Sequence, residues 1–516
     1  MVAISIPTDE TRAYRRRTFA WAIYDWANSA VVTMVISAVF PVFFNSLATP
    51  ALGNQAASAF SFIVSAALLL SMIIGPILGT IGDITGSRKR LMIIFTVLGG
   101  LSTCLMFFLG GEDSTLWVFA AILFFAVQIF LSTSLGLYNA LLSHIAHPSD
   151  QDRLSSLGYG LGYIGGGLQL LISVIILTMW ESLGLPDQGT ATRIGLLFAG
   201  VWWLIFSLPI ILFVPEPPPA PRIAAQKTIL SETFGSLSKT LREIRGYSEV
   251  FKMLVAFLLY NSGIGAIIQL ATTYGQQQLG LEQSTLIGAL LLTQFVAFPF
   301  ALIYGRLPSS ESGNRAFYLS HMIWTAVTLP LVGGIAATNN VGIGTVIIIL
   351  VVDQGLGLLF SWFLGRTLFA NIAATLNSKR AISFGLVIYT VIAIWGFFLN
   401  TAAEFWMLAF LVGTVQGGTQ ALSRSLYSSL LPRAKSGEFF GFYGLSDKSG
   451  GILGPLVFGI VGLSGNLRPA ILSVILFFVL GGVLLATVRV EAGQKHAQAE
   501  DEALGYVEQS VSGTPE

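Results

Sequence analysis

Apolar runs of membrane-crossing length dominate this chain. A helix needs about 20 mostly apolar residues to cross a bilayer, and hydrocarbon tolerates only backbone that satisfies its own hydrogen bonds. Such runs fall near 20–47, 57–80, 91–109, 116–142, 157–180, 192–214, 251–272, 285–305, 316–337, 343–365, 381–400, 405–430, 444–463 and 468–488, fourteen in all. Only 10% of the 516 residues are charged and 54% are hydrophobic, where a soluble protein carries about 25% charge. One soluble core cannot absorb that much apolar surface. The expected class is an all-α integral membrane protein with the lipid bilayer as its main partner. A net charge of +1 gives phosphates nothing to hold, so no nucleic acid is expected. Cys104, the single cysteine, has no partner for a disulfide.

The few cations fix an orientation. With the N-terminus in the cytoplasm, that side holds Arg12, Arg15, Arg16, Arg17, Arg88, Lys89, Arg90, Arg153 and a linker with Arg222, Lys227, Lys239, Arg242, Arg245 and Lys252. It also holds Arg306, Arg315, Arg366, Lys379, Arg380, Arg433, Lys435, Arg489 and Lys495, together with Arg424 and Lys448 at span ends. That makes 25 cations against 2, Arg193 and Arg468, on the other side. The positive-inside rule then places both termini in the cytoplasm of a multi-pass protein in the plasma or inner membrane. The first run follows a polar, arginine-rich start without a cleavage site, so it is expected to be retained rather than removed as a signal peptide.

Two polar stretches divide the chain. Residues 1–19 form a cytoplasmic segment, 20–214 a first set of six spans, 215–250 a linker, 251–488 a second set and 489–516 a tail. In the linker, Ile229, Leu230, Phe234, Leu237, Leu241 and Ile244 recur at helical spacing opposite Lys239, Arg242 and Arg245, which predicts an amphipathic helix at the headgroups. The tail is acidic and poor in aromatics and is expected to be disordered. The sets echo each other: Tyr24-Asp25 returns as Tyr260-Asn261 after 236 positions, and Tyr159-Gly160-Leu161 returns as Tyr443-Gly444-Leu445 after 284. The offsets differ by 48 residues, the length of a helical hairpin, and 316–365 is the natural insertion. Removing it leaves six spans plus six, the plan of transporters built from parallel repeats.

Several motifs carry a resemblance. Gly79-Thr80-Ile81-Gly82-Asp83 through Gly86-Ser87-Arg88-Lys89-Arg90 resembles the loop signature of the major facilitator superfamily, with Ile84 and Ser87 where that signature often has cations. The resemblance implies that Asp83 caps the positive N-terminal end of the helix at 444–463; an ordinary basic turn is the plainer reading. Trp21-Ala22-Ile23-Tyr24-Asp25-Trp26, Tyr138-Asn139-Ala140, Ser156-Leu157-Gly158-Tyr159 and Gln416-Gly417-Gly418-Thr419-Gln420 through Ser423-Arg424-Ser425 resemble bacterial transporters related to the fungal autophagy-associated vacuolar amino-acid effluxer. That family implies a major facilitator fold of two six-helix halves, here with the inserted hairpin and about 14 transmembrane helices. Ser262 stands where the family often has aspartate, which leaves any coupling role of that helix open.

Ionisable groups inside a span cost about 2.5–3.5 kcal/mol each and usually face protein or water. Asp25 lies about two turns into the first span with Asn28 on a similar face, and Arg424 shares a polar stripe with Gln416, Gln420 and Ser423. Asp25 and Arg424 are expected to form a cytoplasmic gate or a solute pocket, the carboxylate meeting an amine and the guanidinium a carboxylate. A fixed structural ion pair explains them equally well. Tyr138, Asn139, Tyr159, Tyr163, Gln169, Tyr260, Asn261, Gln269 and Gln294 are further cavity candidates, each also explicable as helix packing. Asp353 in the hairpin is expected to dock against the bundle rather than touch solute.

No phosphate-binding loop, nucleophile triad or metal-ligand spacing stands out, so no cofactor, metal or catalytic activity is expected. The expected function is secondary transport of a small polar solute by alternating access, amino acids first because the resemblance implies them. Protons are the candidate coupling ion. A non-transporting receptor or scaffold on the same fold is the alternative.

Overall fold

The computed structural model describes residues 9–111, 115–221, 228–242, 246–308, 312–339, 341–462 and 467–506, and among these there is no strand. In the first half α1 (Asp9–Val31) runs through a π-helical turn, Val32–Ala38, into α2 (Phe40–Leu52). Then come α3 (Ala56–Thr85), α4 (Arg88–Leu105), α5 (Leu116–Ala140), α6 (Gln151–Thr178) and α7 (Gln188–Phe206). The linker holds α8 (Ile229–Arg242), where an amphipathic helix is expected. The second half comprises α9 (Ser248–Leu279), α10 (Gln283–Arg306), α11 (Ser312–Thr338), α12 (Ile343–Phe360), α13 (Ser378–Phe398), α14 (Ala402–Ser429), α15 (Ser436–Gly462) and α16 (Arg468–Ala486). A last helix, α17 (Val490–Ala503), lies across one end.

Local chemistry sets the boundaries that matter. Gly86 ends α3 with φ of 61°, a left-handed conformation that only glycine adopts freely. Thr401 and Glu404 form a reciprocal capping box that fixes where α14 starts, and with it the rotation of every residue up to Arg424. Along α12, Ile347, Ile348, Val351 and Val352 are all more than half exposed. Apolar surface of that kind belongs against lipid.

Twelve helical stretches among the described residues are long and apolar enough to cross a membrane. Two others, α14 and α15, are as long and are buried deep in the bundle, α14 against α10 and α13, α15 against α3 and α9. Their polar side chains, which include Gln416, Gln420, Asp447 and Lys448, make them too polar to qualify by hydropathy.

Three expectations change. First, α15 begins at Ser436 rather than near 444, so Lys448 sits near the midpoint of a 27-residue helix and is no span-end cation. Second, the tail is not disordered through its described part. Gly493 and Ala497 are buried, with Gly493 against Leu430, and Asp501 accepts the backbone N–H groups of Arg433 (2.8 Å) and Ala434 (3.0 Å). Low average hydrophobicity hid a small-residue face with acids placed to meet a basic loop. Third, the hydrogen bonds of the buried Asp353 carboxylate stay within the hairpin: it accepts Trp324 Nε1 at 3.2 Å and Gln354 Nε2 at 2.9 Å. Both hairpin helices touch α14 of the bundle, α11 more extensively, and His321 of α11 stacks on Phe300 of α10. Arg222, Lys227, Arg245 and the side chains of Leu241, Leu230 and Gln269 lie outside the described residues, as do Ile244 and the tail beyond Tyr506.

Candidate functional site at the seam between the halves

Glycines bring α6 onto α1. A Cβ at Gly162 would meet Ser29 Oγ at 2.8 Å, at Gly165 the Trp26 backbone, and at Gly166 Thr33 Oγ1 at 2.7 Å. Small residues at such spacing let two membrane helices approach backbone to backbone. The same face leaves room at Gly158 for the side chains of Asp25 and Arg424. Arg424 of α14 there pairs with Asp25 of α1 across the two halves, Nη1 to Oδ2 at 3.0 Å.

Every nitrogen of this guanidinium is engaged. Nη1 also donates to Asn139 Oδ1 at 3.2 Å, Nε to Ser155 Oγ at 2.8 Å and Nη2 to the Ser155 carbonyl at 2.8 Å. Trp21 and Tyr159 pack on it with ring centroids at 4.8 and 4.3 Å, and Tyr138 lies at 5.6 Å while stacking on Trp21. Such cation–π contacts strengthen when desolvated. Arg424 is only 2% exposed, so one carboxylate and the aromatic box replace its water.

A second cluster closes the end of the bundle where the basic loops meet. Asp83 accepts the backbone N–H groups of Gly437 and Glu438, both at 2.8 Å, and so caps α15. Arg88, fully buried, donates to Asp83 at 2.5 Å and to the carbonyls of Pro218 (3.0 Å), Arg433 (3.4 Å) and Ala434 (3.2 Å). The Lys89 ammonium donates to the Ile211 carbonyl at 2.7 Å, and the Lys89 and Arg90 N–H groups meet the Glu216 carboxylate. Gly79 faces Gly437 and Gly75 faces Gly441 so closely that a Cβ at Gly79 would collide with the Gly437 carbonyl.

The remaining candidates divide. Asp25, Tyr138, Asn139 and Arg424 come together. Tyr163 donates to Gln420 Oε1 at 2.8 Å across the seam, with the buried Gln416 one turn earlier on α14. Tyr260 meets Ser423 Oγ at 2.6 Å, and Asn261 donates to the carbonyl (3.1 Å) and carboxylate (3.3 Å) of Asp447. Asn28 donates to its own helix at the Tyr24 carbonyl. Sequence reasoning missed Ser155, Asp152 and Asp447. Asp152 binds Ser378 Oγ at 2.7 Å and also Ser425 Oγ, a further link between halves. A serine among many carries no signal, whereas Asp447-Lys448 becomes visible once α15 is started eight residues earlier.

A profile of the family described as "Vacuole effluxer Atg22 like" matches residues 13–347 and 335–498. The chain belongs to this Atg22-like family. It is 29% identical over 496 residues to an uncharacterized MFS-type transporter, YxiO, of Bacillus subtilis (strain 168), covering 95% of this chain and 99% of that one. It is 26% identical over 367 residues to autophagy-related protein 22 of Yarrowia lipolytica (strain CLIB 122 / E 150), covering 67% of this chain and 52% of the relative. The chain thus spans about half the length of that fungal relative. Among solved structures, the proton:xylose symporter XylE superposes with a TM-score of 0.59 at 12% identity, covering 95% of this chain and 99% of that one. A bacterial homologue of the iron transporter ferroportin, outward-facing, gives 0.56 at 13%, covering 92% and 99%. At such identity the likeness speaks to fold alone. This Atg22-like chain is therefore a multi-pass membrane transporter of the major facilitator superfamily.

Proposed function

We propose that the chain is a secondary transporter that carries a small polar solute, amino acids first, by alternating access between its halves. The observation that carries this reading is the buried Asp25–Arg424 pair, which joins the halves through side chains alone. Opening the seam separates two charges, and something must then compensate each of them. A solute with an amine and an acid group can do so, and a proton on Asp25 can relieve the carboxylate. Proton coupling through Asp25 follows as part of the proposal. The cation-rich end is assigned to the cytoplasm by the positive-inside rule, with both termini there, fourteen spans, and residence in the cell membrane. The arrangement is then closed towards the cytoplasm.

Purified protein in liposomes, assayed for counterflow of a labelled amino-acid panel with and without a pH gradient, tests the reading. Uptake by the wild type that D25N abolishes supports it. Folded protein that moves none of the panel points to a receptor or scaffold instead. A reporter fused at Asn340 should be external and one at Ile372 internal if fourteen spans are correct.

A further inference from the structure

Lys448 lies in the middle of α15, a helix packed inside the bundle, and among the described residues it makes no hydrogen bond and no ion pair within 4 Å. Its neighbour Asp447 turns toward Asn261 of α9, whereas Lys448 borders a narrow cleft between α15 and the first half. The cleft is lined by Ser71 of α3, by Ser132 and Thr133 of α5, and by glycines of both halves. Among the described residues no carboxylate lines it. The hydroxyls of Ser71 and Ser132 are spent on their own helices, at Ala67 O and Gln128 O. Thr133 differs: the residue is 3% exposed, and its hydroxyl has no hydrogen-bond partner among the described residues. Lys448 from the second half and Thr133 from the first thus line one cleft, with the Asp447 carboxylate beside the ammonium in sequence and no nearer counter-ion among the described residues. The buried Arg88 and Arg424, by contrast, already have every guanidinium nitrogen engaged.

We propose that Lys448 and Thr133 form an anion subsite that takes the carboxylate, or an equivalent oxyanion group, of the transported solute. The inference rests on the transport reading and adds a recognition point: Lys448 reads the acid group of the solute in addition to Arg424, which loses Asp25 when the seam opens. Lysine acts as a compact point charge with three donors, suited to a small oxyanion. With the seam closed the cleft has room for about one water, so a carboxylate enters only as the halves part, and its binding favours that parted state. That is the differential affinity a ligand needs to shift a conformational equilibrium.

The test uses full-length protein in detergent and reads thermal stabilisation by glycine, alanine, leucine, glutamate, succinate and inorganic phosphate, with alaninamide and leucinamide as counterparts lacking the negative charge. At least one oxyanion should stabilise the wild type while the amides do not. K448Q should bind that anion at least tenfold more weakly, K448R should retain it, and T133V should weaken it severalfold. The unliganded melting temperature of each variant shows whether it is folded. Succinate and phosphate separate a carboxylate-selective site from a general oxyanion site. The proposal is overturned if acid and amide bind alike, if no anion stabilises the wild type, or if K448Q binds as tightly as the wild type. Lys448-dependent stabilisation without any counterflow would sink the transport reading and leave the subsite standing. Counterflow of an acid that is indifferent to K448Q would do the reverse.

Discussion

The two buried carboxylate–arginine pairs look alike and are built differently. Asp83 and Arg88 belong to the same half, five residues apart, and each reaches across the seam to backbone: the carboxylate to the N–H groups that start α15, the guanidinium to the carbonyls just before it. Asp25 and Arg424 come from opposite halves and meet each other directly. When the seam opens, the first pair keeps its own partner and loses only backbone contacts. The second loses its charge partner altogether. One pair therefore holds a position, and the other couples position to charge.

The contrast can be broken in several ways. The largest effect is expected from Gly79→Leu, because backbone occupies the space that any side chain would need. Counterflow should be abolished, while the expressed protein keeps its helical circular dichroism. Next comes the charge-coupled pair. D25N leaves Arg424 buried without its counter-ion, at a cost of about 3–5 kcal/mol, and R424Q should cost a similar amount by orphaning Asp25. The double variant should regain much of that loss in thermal melts; additive losses would show that the two groups do not act as a pair. D83N should cost less, about 1–3 kcal/mol, since an amide keeps one acceptor for the α15 cap but loses the Arg88 ion pair. Its readout is local: a cysteine placed at Ser436 should react faster with maleimide, while the melting temperature falls by less than in D25N. The smallest effect is expected at the tail. D501A removes two hydrogen bonds worth about 1 kcal/mol together and should speed hydrogen exchange in 490–506 with less than a twofold change in transport.

How much of this was legible beforehand depended on whether the physics leaves a mark on composition. Asp25 and Arg424 stood out because a charge in an apolar run is costly enough to need a reason, and the structure brings them together. The Asp83 cap followed from the loop signature, although the helix it caps starts earlier than hydropathy suggests. That same shift hid Lys448. Polar residues at the start of α15 are solvated by other helices rather than by water, and a hydropathy scale cannot tell the two apart. Ser155 donates nothing visible in sequence, yet its hydroxyl and carbonyl accept from two of the three Arg424 nitrogens. The docking of α17 depends on Gly493 and Ala497 having little side chain to keep them away from the bundle, and averages over a window erase that property.

The backbone contact of Gly75 and Gly79 with Gly441 and Gly437 bears on speed as well as on fit. Surfaces that interlock through large side chains must unlatch rotamer by rotamer before they can part. Here the sliding surface carries almost no rotamers, so little friction opposes separation, and turnover is left to the charges and caps around it. Adding bulk at these positions would act as a brake even where it left the resting arrangement intact.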